Sequence, residues 1–363
     1  MSTATIRDVA AQAKVSIKTV SRVINNVTTV KPHTREKVLR VIRKLDYHPN
    51  PSARGLSGAR SYLIVLLYDR TCDYYATGVL AGVIETCRAA HYQVIMQPCD
   101  FRSPSLADDI SRNVKQSRAA GVILTPPLSD QSALLGVLKQ QRIPYVRIAP
   151  AEHSDNLRSV YTNDRESSAR MTEHLAALGH SRIGFIIGNP DHEAVGDRYK
   201  GYLDGLKNCG IPVDKSLIVQ GFNSHASGMQ SARKLLLVPD AGRPTAIFAS
   251  NDEMAAGVLA VAHSLGVGVP DELSVAGFDD VPLASQVWPA LTTIRQPIGA
   301  MSAKAADLLL QQLRGEPEDR TAHVLESSVT FRQSTGAAHN QKVQQVRSSQ
   351  RAKASLATVA SDE

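Results

Sequence analysis

KVSIKTVSRVINN, residues 14–26, is the stretch that decides how the first part of this chain folds. Ser16 can cap a helix that runs to about Asn25, because a serine hydroxyl accepts a hydrogen bond from a free amide of the first helical turn. Val20, Val23 and Ile24 recur at helical spacing and are expected to face inward. The opposite face then presents side chains that a small core does not need, namely Ile17, Lys18, Ser21 and Arg22.

The flanking residues predict two further short helices. In TIRDVAAQA (5–13) the apolar residues follow helical spacing, and Thr5 with Asp8 resembles a capping box that marks the helix start. A third helix begins near Pro32, a residue that a first helical position tolerates, and its apolar face is formed by Val38, Val41, Ile42 and Leu45. Three short helices with a tight turn between the first two indicate a helix-turn-helix unit, whose second helix enters the major groove of DNA.

The charge distribution agrees with a DNA-binding unit. Residues 1–60 hold twelve Lys and Arg against three acidic residues, a net charge of +9. Because the whole chain carries +7, the other 303 residues carry −2. A compact basic head on a nearly neutral body is typical of a unit that binds a polyanion. A solvated basic tail is disfavoured because the segment is strongly patterned.

The side-chain types on the second helix suggest how bases are read. Lys18 and Arg22 can donate to guanine O6 and N7, Ser21 can contact a base or phosphate, and Ile17 can meet a thymine methyl group. Ser16, Thr19 and Asn25 complete this predicted set. Residues expected to fix the register on phosphates are Thr5, Lys31, Thr34, Tyr47, His48 and Asn50. A basic helix without a nucleic-acid role is the alternative.

From residue 61 onward, short apolar runs alternate with helix-length stretches. The runs of the first series are 61–69, 92–98, 121–127 and 144–149, and those of the second are 182–188, 216–221, 245–250 and 273–280. Continuously apolar strands that alternate with helices predict parallel sheets covered on both faces. Two series predict two α/β lobes, in which ligands bind beyond the carboxyl ends of the strands.

Two motifs carry a family resemblance. VSxxTVSRVxN begins at Val15 and YxPNxxARxL begins at Tyr47. With them the chain resembles the lactose-repressor (LacI/GalR) family, and the resemblance continues to about residue 336. It implies a fold with an all-α helix-turn-helix headpiece and an α/β body. The two lobes of that body look like periplasmic sugar-binding proteins and are joined by three crossovers, with 291–297 passing back to the first lobe.

The segment NPSARGLSGAR (50–60) joins head to body. Residues 51–57 can form two helical turns, too few to be stable alone in water, and Gly55 weakens them further. A plain flexible linker is therefore one interpretation. The family resemblance implies instead a helix that folds on DNA and pairs with its twin across a dimer axis. Such a helix inserts Leu56 into the minor groove, where an apolar wedge kinks the duplex, and Ala53 belongs to the same predicted set.

Polar residues that follow the strands of the second lobe predict an effector site. Arg198, Asn251 and Asp279 match the family motifs RxxG, SND and GFDD, and an Arg with a carboxylate can clamp vicinal hydroxyls. Phe222 can supply an aromatic floor for a sugar ring, whereas Trp288 fits a pocket or a plain core equally well. Asp252 and Asp280 are interpreted as helix caps.

The first lobe is expected to contribute through LLYDRTCDYYATGV (66–79), which aligns with a family segment that approaches the ligand but departs from the common text at CDYY. It offers Tyr68, Asp69, Thr71, Tyr74 and Tyr75. Thr125 follows the third strand, and Gln296 lies on a crossover. Arg147 is a cation in an apolar run, so it either faces an acidic effector or pairs with Glu152 or Asp155.

Other classes of protein find less support. GxSxG, P-loop and strand-associated GxGxxG motifs are absent, DHE (191–193) is a weak acid–base group, and the four cysteines form no CxxC pair. We therefore expect no enzymatic activity, catalytic residue, metal or cofactor. The sequence has no secretory leader and no apolar run of 18 residues, which predicts a cytoplasmic protein without membrane contact. A solute-binding protein explains the body but not the basic head.

The sequence thus predicts a ligand-responsive repressor that binds double-stranded DNA as a homodimer and is released from a palindromic operator by a sugar or sugar-derivative inducer. A corepressor, or a non-sugar effector such as an acidic small molecule, is the alternative. The expected domains are a helix-turn-helix domain (1–49), a hinge (50–60), a two-lobed effector-binding and dimerisation domain (61–336) and a disordered polar tail (337–363) that lacks a coiled-coil heptad.

Overall fold

The structure, a computed structural model, describes residues 4–24, 29–47, 61–69, 73–150, 158–239, 242–317 and 322–338. The chain divides into two compact units, Met1–Tyr62 and Leu63–Glu363. Several positions singled out in the sequence lie outside the described residues, and so do the whole predicted hinge (50–60) and residues 339–363 of the predicted tail. Those positions are Asn25, His48, Asn50, Ala53, Leu56, Thr71, Glu152 and Asp155.

The first unit contains the three predicted helices, α1 (Ile6–Ala13), α2 (Ile17–Ile24) and α3 (Pro32–Lys44). The predicted capping box is confirmed, since the Thr5 amide donates to the Asp8 carboxylate (2.8 Å) and the Asp8 amide to the Thr5 hydroxyl (3.4 Å). Lys14 ends α1 in the left-handed conformation and so opens the turn to α2. The fully buried core is apolar, and its members are Val9, Ala10, Ala13, Val20, Val23, Val38 and Tyr47.

The second unit contains two six-stranded sheets, whose elements alternate as the sequence predicts. The first-lobe elements are β1 (Leu63–Asp69), α4 (Asp73–Ala89), β2 (Gln93–Cys99), α5 (Leu106–Ser117), β3 (Gly121–Leu124), α6 (Ser132–Gln140), β4 (Tyr145–Ile148) and β5 (Ser159–Thr162). The second-lobe elements are α7 (Asp164–Ala177), β6 (Ile183–Ile187), α8 (Ala194–Asn208), β7 (Ile218–Gln220), α9 (His225–Leu236), β8 (Ala246–Ala249), α10 (Asp252–Ser264), β9 (Ser274–Asp279), α11 (Leu283–Gln286) and β10 (Thr292–Arg295). The chain ends with α12 (Ile298–Arg314), β11 (His323–Leu325) and β12 (Ser328–Thr330).

The strand order explains how the lobes are joined. The first sheet runs β11-β5-β4-β3-β1-β2 and the second runs β12-β10-β9-β8-β6-β7, with only the β10–β12 pair antiparallel. The chain passes between lobes after Thr162, after Arg295 and between Leu325 and Ser328, so the three crossovers are confirmed. All three leave from strands at one edge of each sheet. The opposite edges, at β2 and at β6–β7, are therefore the edges farthest from the crossovers.

Helices cover both faces of each sheet. In the first lobe α4 and α12 pack together so closely that a Cβ on Gly82 would lie 2.5 Å from the Gly299 carbonyl oxygen. In the second lobe α7 and α8 meet at Gly201, where a Cβ would lie 2.1 Å from the Arg165 carbonyl oxygen. Gly201 therefore fixes the position of α8 and, one turn earlier, of Arg198. No helix among the described residues is long and apolar enough to cross a membrane.

Candidate nucleic-acid interface and ligand cleft

The outward face of α2 presents the side chains that the sequence predicts to read bases. Lys18 and Arg22 are exposed, and Ile17 is 46% exposed although it is a large apolar residue. Ser16 caps this helix, because its hydroxyl accepts from the Thr19 amide (3.1 Å). The helix thus holds its cationic and apolar side chains on one accessible surface, while Val20 and Val23 anchor the other side in the core.

Among the predicted phosphate contacts, Lys31 and Thr5 are exposed and Thr34 is half-buried. Thr5 is also part of the capping box, in which its hydroxyl donates to Asp8 (2.7 Å) and lowers the pKa of that carboxyl. Tyr47 differs from the expectation of a surface residue, because its side chain closes the small core of the unit. A three-helix unit of this size needs a large apolar group there, and the ring of Tyr47 supplies it.

In the second unit a cleft lies beyond the carboxyl ends of the strands of both sheets. It encloses about 630 Å³ of empty space, part of which is open to solvent. Lobe one contributes Tyr74, Tyr75, Pro126 and Ala149, and lobe two contributes His192, Ala194, Val195, Arg198, Asn223, Asn251, Glu253, Asp279 and Val281. Five predicted effector residues therefore meet here: Tyr74, Tyr75, Arg198, Asn251 and Asp279.

Arg198 lies at the centre of the polar wall. Its Nε donates to Asp164 (2.9 Å), and its Nη1 lies 3.2 Å from the Asp279 carboxylate and donates to the Ser250 carbonyl (2.6 Å). The guanidinium also covers the ring of Phe278 at 3.8 Å from the centroid. Burial opposes the charged form, but the two carboxylates outweigh it and raise the pKa of Arg198. The guanidinium is therefore a fixed cation whose charge is already balanced.

Asp279 is held beside Arg198 in an uncommon conformation. Its φ is +106°, a left-handed value that L-residues adopt only at a cost of about 1–3 kcal/mol. Gln296 donates to its carboxylate (2.8 Å) from the crossover segment. Burial raises the pKa of Asp279 to about 6, although the Arg198 charge pulls it down. Strain and a perturbed pKa at one buried carboxylate are typical of a functional position.

Asn251 lines the cleft, but both ends of its side-chain amide already have partners. Its Oδ1 accepts from the Met254 amide (3.0 Å) and caps α10, while its Nδ2 donates to the Asn223 carbonyl (2.9 Å). Asn223 itself has a left-handed φ of +59° and accepts from the Asn189 amide (3.0 Å). Asn251 therefore builds the wall of the cleft as well as facing it.

His192 is a cleft residue that is absent from the effector set predicted from the sequence. It is buried, and burial lowers its pKa to about 4, so the ring is neutral at physiological pH. Its Nδ1 lies 3.4 Å from the Asn223 side-chain nitrogen, which can donate to it, and this leaves the proton on Nε2. Within the described part of the chain Nε2 has no hydrogen-bond partner. The signal in the sequence was DHE, but only the folded loop shows that the ring reaches the cleft.

Several predicted effector residues lie away from the cleft lining. Thr125 is buried and donates to the Leu67 carbonyl (3.1 Å). Arg147 is buried inside the first lobe and donates from Nε to the Ser159 hydroxyl (3.0 Å). Tyr68 is half-buried and Asp69 is buried, and neither is among the lining residues. Short polar side chains that follow a strand often form hydrogen bonds back to the sheet. The sequence pattern does not distinguish these side chains from those that face a ligand.

The aromatic floor expected from Phe222 and Trp288 does not form in the cleft. Phe222 is half exposed, Trp288 is 88% exposed, and neither lines the cleft. The exposure of Trp288 contradicts the core interpretation, and its absence from the lining leaves the pocket interpretation without support. Gln296 is buried and contacts Asp279 rather than the empty space.

Asp252 and Asp280, interpreted as helix caps, have other roles. Asp252 accepts from the Thr293 hydroxyl (2.5 Å) and the Val281 amide (2.9 Å), so it ties three segments of the second lobe together. Burial and the neighbouring Asp279 raise its pKa well above the usual value. Asp280 pairs with two arginines, Arg295 (2.5 Å) and Arg332 (2.6 Å). No group of three metal-ligating side chains occurs among the residues whose placement is described.

The basic helix-turn-helix unit and the two-lobed body with a polar cleft define a class of protein, DNA-binding regulators with a periplasmic-binding-protein-like domain. Comparisons with known proteins agree with this class. Residues 5–50 match the profile of bacterial regulatory proteins of the lacI family, and residues 172–335 match that of the periplasmic binding protein-like domain.

Similar proteins extend this match to nearly the whole chain. It is 33% identical to the HTH-type transcriptional regulator DegA of Bacillus subtilis over 91% of this chain and 98% of that protein. A lac repressor dimer bound to operator and the anti-inducer ONPF aligns with a TM-score of 0.74 at 28% identity, covering 93% of this chain and 100% of that chain. A complex of the regulator CelR with cellobiose aligns with a TM-score of 0.69 at 29% identity, covering 91% and 99%. The chain belongs to the LacI family of DNA-binding transcription regulators.

Proposed function

We propose that this protein is a cytoplasmic, ligand-responsive transcription repressor that a neutral sugar, or a sugar derivative, releases from a palindromic operator. The observation that carries the proposal is the Arg198–Asp279 pair, a buried donor–acceptor couple 3.2 Å apart in the cleft wall. Vicinal hydroxyl groups can accept from such a guanidinium and donate to such a carboxylate. Arg198, Asn251 and Asp279 are the proposed principal contacts, with Tyr74 and Tyr75 facing them from the first lobe.

The charge of the cleft favours a neutral effector over an acidic one. Arg198 is the one arginine or lysine among the lining residues, and it already contacts two carboxylates. His192 is neutral, while Asp279 and Glu253 add negative charge to the lining. An acidic ligand would have to give up its hydration without gaining an unpaired cation among these residues. Arg147, the residue on which the acidic alternative depended, is absent from the lining.

The proposed route from cleft to DNA is a two-state coupling. Two copies of the chain place two α2 helices in successive major grooves, and their hinge segments (51–57) fold against the operator between them. Effector binding favours a lobe arrangement in which the hinge segments separate. A coupling free energy of about 1–3 kcal/mol would change operator affinity roughly 5–150-fold. A corepressor would bind the same cleft but would strengthen operator binding.

The dimer in this proposal is supported by an exposed aromatic side chain. Trp288, at 88% exposure, follows α11 on the surface of the second lobe. Tryptophan is enriched at protein–protein interfaces, which makes this exposed ring a candidate dimer contact. The similar lac repressor dimer bound to operator and the similar CelR–cellobiose complex also support a dimer that binds DNA and a neutral sugar.

Selection of bound duplexes from random DNA, followed by a panel of sugars scored for release, tests the proposal. We expect enrichment of a site with approximate two-fold symmetry and release by at least one neutral sugar. If a sugar of the panel strengthens operator binding instead, the effector is a corepressor and not an inducer. Failure to retain any duplex at low ionic strength, where phosphate contacts are strongest, would contradict the proposal.

A further inference from the structure

The two lobes contact each other at the side of the cleft farthest from the crossovers. The contact joins residues 101–102, which follow β2 in the first lobe, to residues 191–192, which follow β6 in the second. Arg102 Nη2 lies 2.6 Å from the Asp191 carboxylate, and the rings of Phe101 and His192 meet edge to face with centroids 6.3 Å apart. Arg102 also covers the Phe101 ring, with 5.1 Å from its Cζ to the centroid.

The position of this contact makes it sensitive to opening of the cleft. The crossovers leave from β5 and β11 in the first sheet, and β2 is the strand at the other edge. Four strand spacings of about 4.8 Å separate β5 from β2, which gives a lever of roughly 19 Å. A rotation of about 10° around the crossovers would move residues 101–102 by roughly 3 Å, enough to break a direct ion pair.

The same contact borders the ligand site. His192 lines the cleft and also contacts the ring of Phe101. The loop that carries Asp191 and His192 is also tied to the cleft wall, since the Asp191 amide donates to Asn189 Oδ1 (3.1 Å) and the Asn189 amide to Asn223 Oδ1 (3.0 Å). A ligand that moves the wall at Asn223 would therefore move the inter-lobe contact with it.

We infer that Phe101 and Arg102 of the first lobe, with Asp191 and His192 of the second, form a latch that holds the mouth of the cleft closed and sets the balance between open and closed lobes. The latch adds a regulatory contact to the proposed function, and its predicted influence on effector binding rests on that function. Its closing action requires no effector. Because both ion-pair partners are largely exposed, we expect loss of the pair to lower the closed-to-open ratio by about 1.4-fold to fivefold.

Single-molecule energy transfer on the full-length, ligand-free protein tests this inference. Cys209 is exposed in the second lobe and provides one label, and Gln116→Cys on the exposed end of α5 provides the other. Burial raises the pKa of the Cys87 thiol to about 11 and that of Cys99 to about 12, so both react slowly, and Cys72→Ser removes the remaining thiol. Excess unlabelled protein leaves at most one labelled copy in any oligomer.

The variants separate the latch from an ordinary surface ion pair. Arg102→Ala and Asp191→Asn should each increase the open population, and the charge swap Arg102→Asp with Asp191→Arg should restore the closed one. Arg112→Ala is the matched control, because the Arg112–Asp109 pair lies within one lobe and its side chains are similarly exposed (63% and 46%, against 65% and 41% for Arg102 and Asp191). It should leave the distribution unchanged.

Two results would overturn the latch. One is an unchanged distance distribution in Arg102→Ala and Asp191→Asn, and the other is an equal shift in Arg112→Ala. Thermal unfolding of each variant, expected within a few degrees of the parent, excludes general loss of structure as the cause. Operator binding, measured on the same samples, separates the two proposals, since a latch that responds as expected in a protein that binds no operator refutes the proposed function alone.

Discussion

The outward face of α2 and the wall of the cleft are organised in opposite ways. On α2, Lys18 and Arg22 stand exposed on a rigid helix whose other side is anchored in the core. In the cleft, Arg198 and Asp279 are buried and held by several partners each. A change on α2 should therefore alter DNA binding and little else. A change in the cleft wall should alter stability and ligand response together.

The largest expected effect is at Arg198. Arg198→Ala would leave Asp164 and Asp279 as buried carboxylates without their cation, and removal of one partner of a buried ion pair costs about 3–5 kcal/mol. Urea unfolding measures this loss. Arg198→Lys keeps the charge and should lose less stability. The folded fraction of Arg198→Ala should still bind operator but should not respond to effector. A fully stable Arg198→Ala protein that still responds would contradict the assignment of the cleft.

Next comes the pH dependence that Asp279 confers on stability. Because its pKa is raised from 3.8 to about 6, the folded protein holds this proton more tightly than the unfolded chain. The carboxyl group therefore stabilises the fold below pH 3.8, and this contribution is lost as the pH rises through 6. The upper limit is about 3 kcal/mol.

Urea unfolding between pH 4 and 7, compared with Asp279→Asn, isolates this contribution. The stability of the parent relative to the variant should fall as the pH rises across this range. Parallel pH profiles for the two proteins would show that Asp279 titrates normally. The variant should also fail to respond to effector at any pH, because an amide cannot replace the carboxylate acceptor on both oxygens.

These effects in the cleft contrast with those expected on α2. Arg22→Ala or Lys18→Ala should each cost about 1–3 kcal/mol of operator binding and relax preference at one base position. Their free energies of unfolding should stay close to that of the parent, since both side chains are exposed. Binding to a set of single-base operator variants measures the effect. An unchanged base preference would show that the substituted residue does not contact a base edge.

The smallest expected effect is that of Trp288 on the cleft. Because the side chain is 88% exposed and lies away from the lining, Trp288→Ala should change effector affinity by less than about 0.5 kcal/mol. Sedimentation should instead show weaker self-association if this surface is the dimer contact. A large loss of effector affinity with normal self-association would show that Trp288 contributes to the ligand site and not to a dimer contact.

The difference between the two regions also explains what the sequence could predict. The capping box at Thr5 and Asp8, and the helix that Ser16 caps, depend on neighbours within four residues, so local pattern was sufficient. The eight apolar runs likewise became strands, because a continuous apolar run is a local signal. Six of these strands are largely buried, whereas the edge strands β2 and β7 are partly exposed. β5 (Ser159–Thr162) was not among the predicted strands, since it is short and polar at both ends.

The cleft is formed by segments far apart in the chain. The sequence pattern could therefore select candidate residues, but it could not predict which way their side chains point. Arg198 and Asp279 follow strands and face the ligand space, whereas Thr125 also follows a strand but bonds back to Leu67. His192 gave only a weak signal, because its role depends on Phe101 and Asn223, which are distant in sequence. Tertiary contacts decide such cases.

Reciprocity between sugar and operator is the most direct test of the account. Once the panel has provided a releasing sugar, calorimetry can measure its affinity for the free protein and for the operator complex. Linkage requires the affinity to fall in the complex by the same factor, roughly 5–150-fold, by which the sugar weakens operator binding. Equal sugar affinity in both states would contradict any coupling between the cleft and the DNA-binding unit.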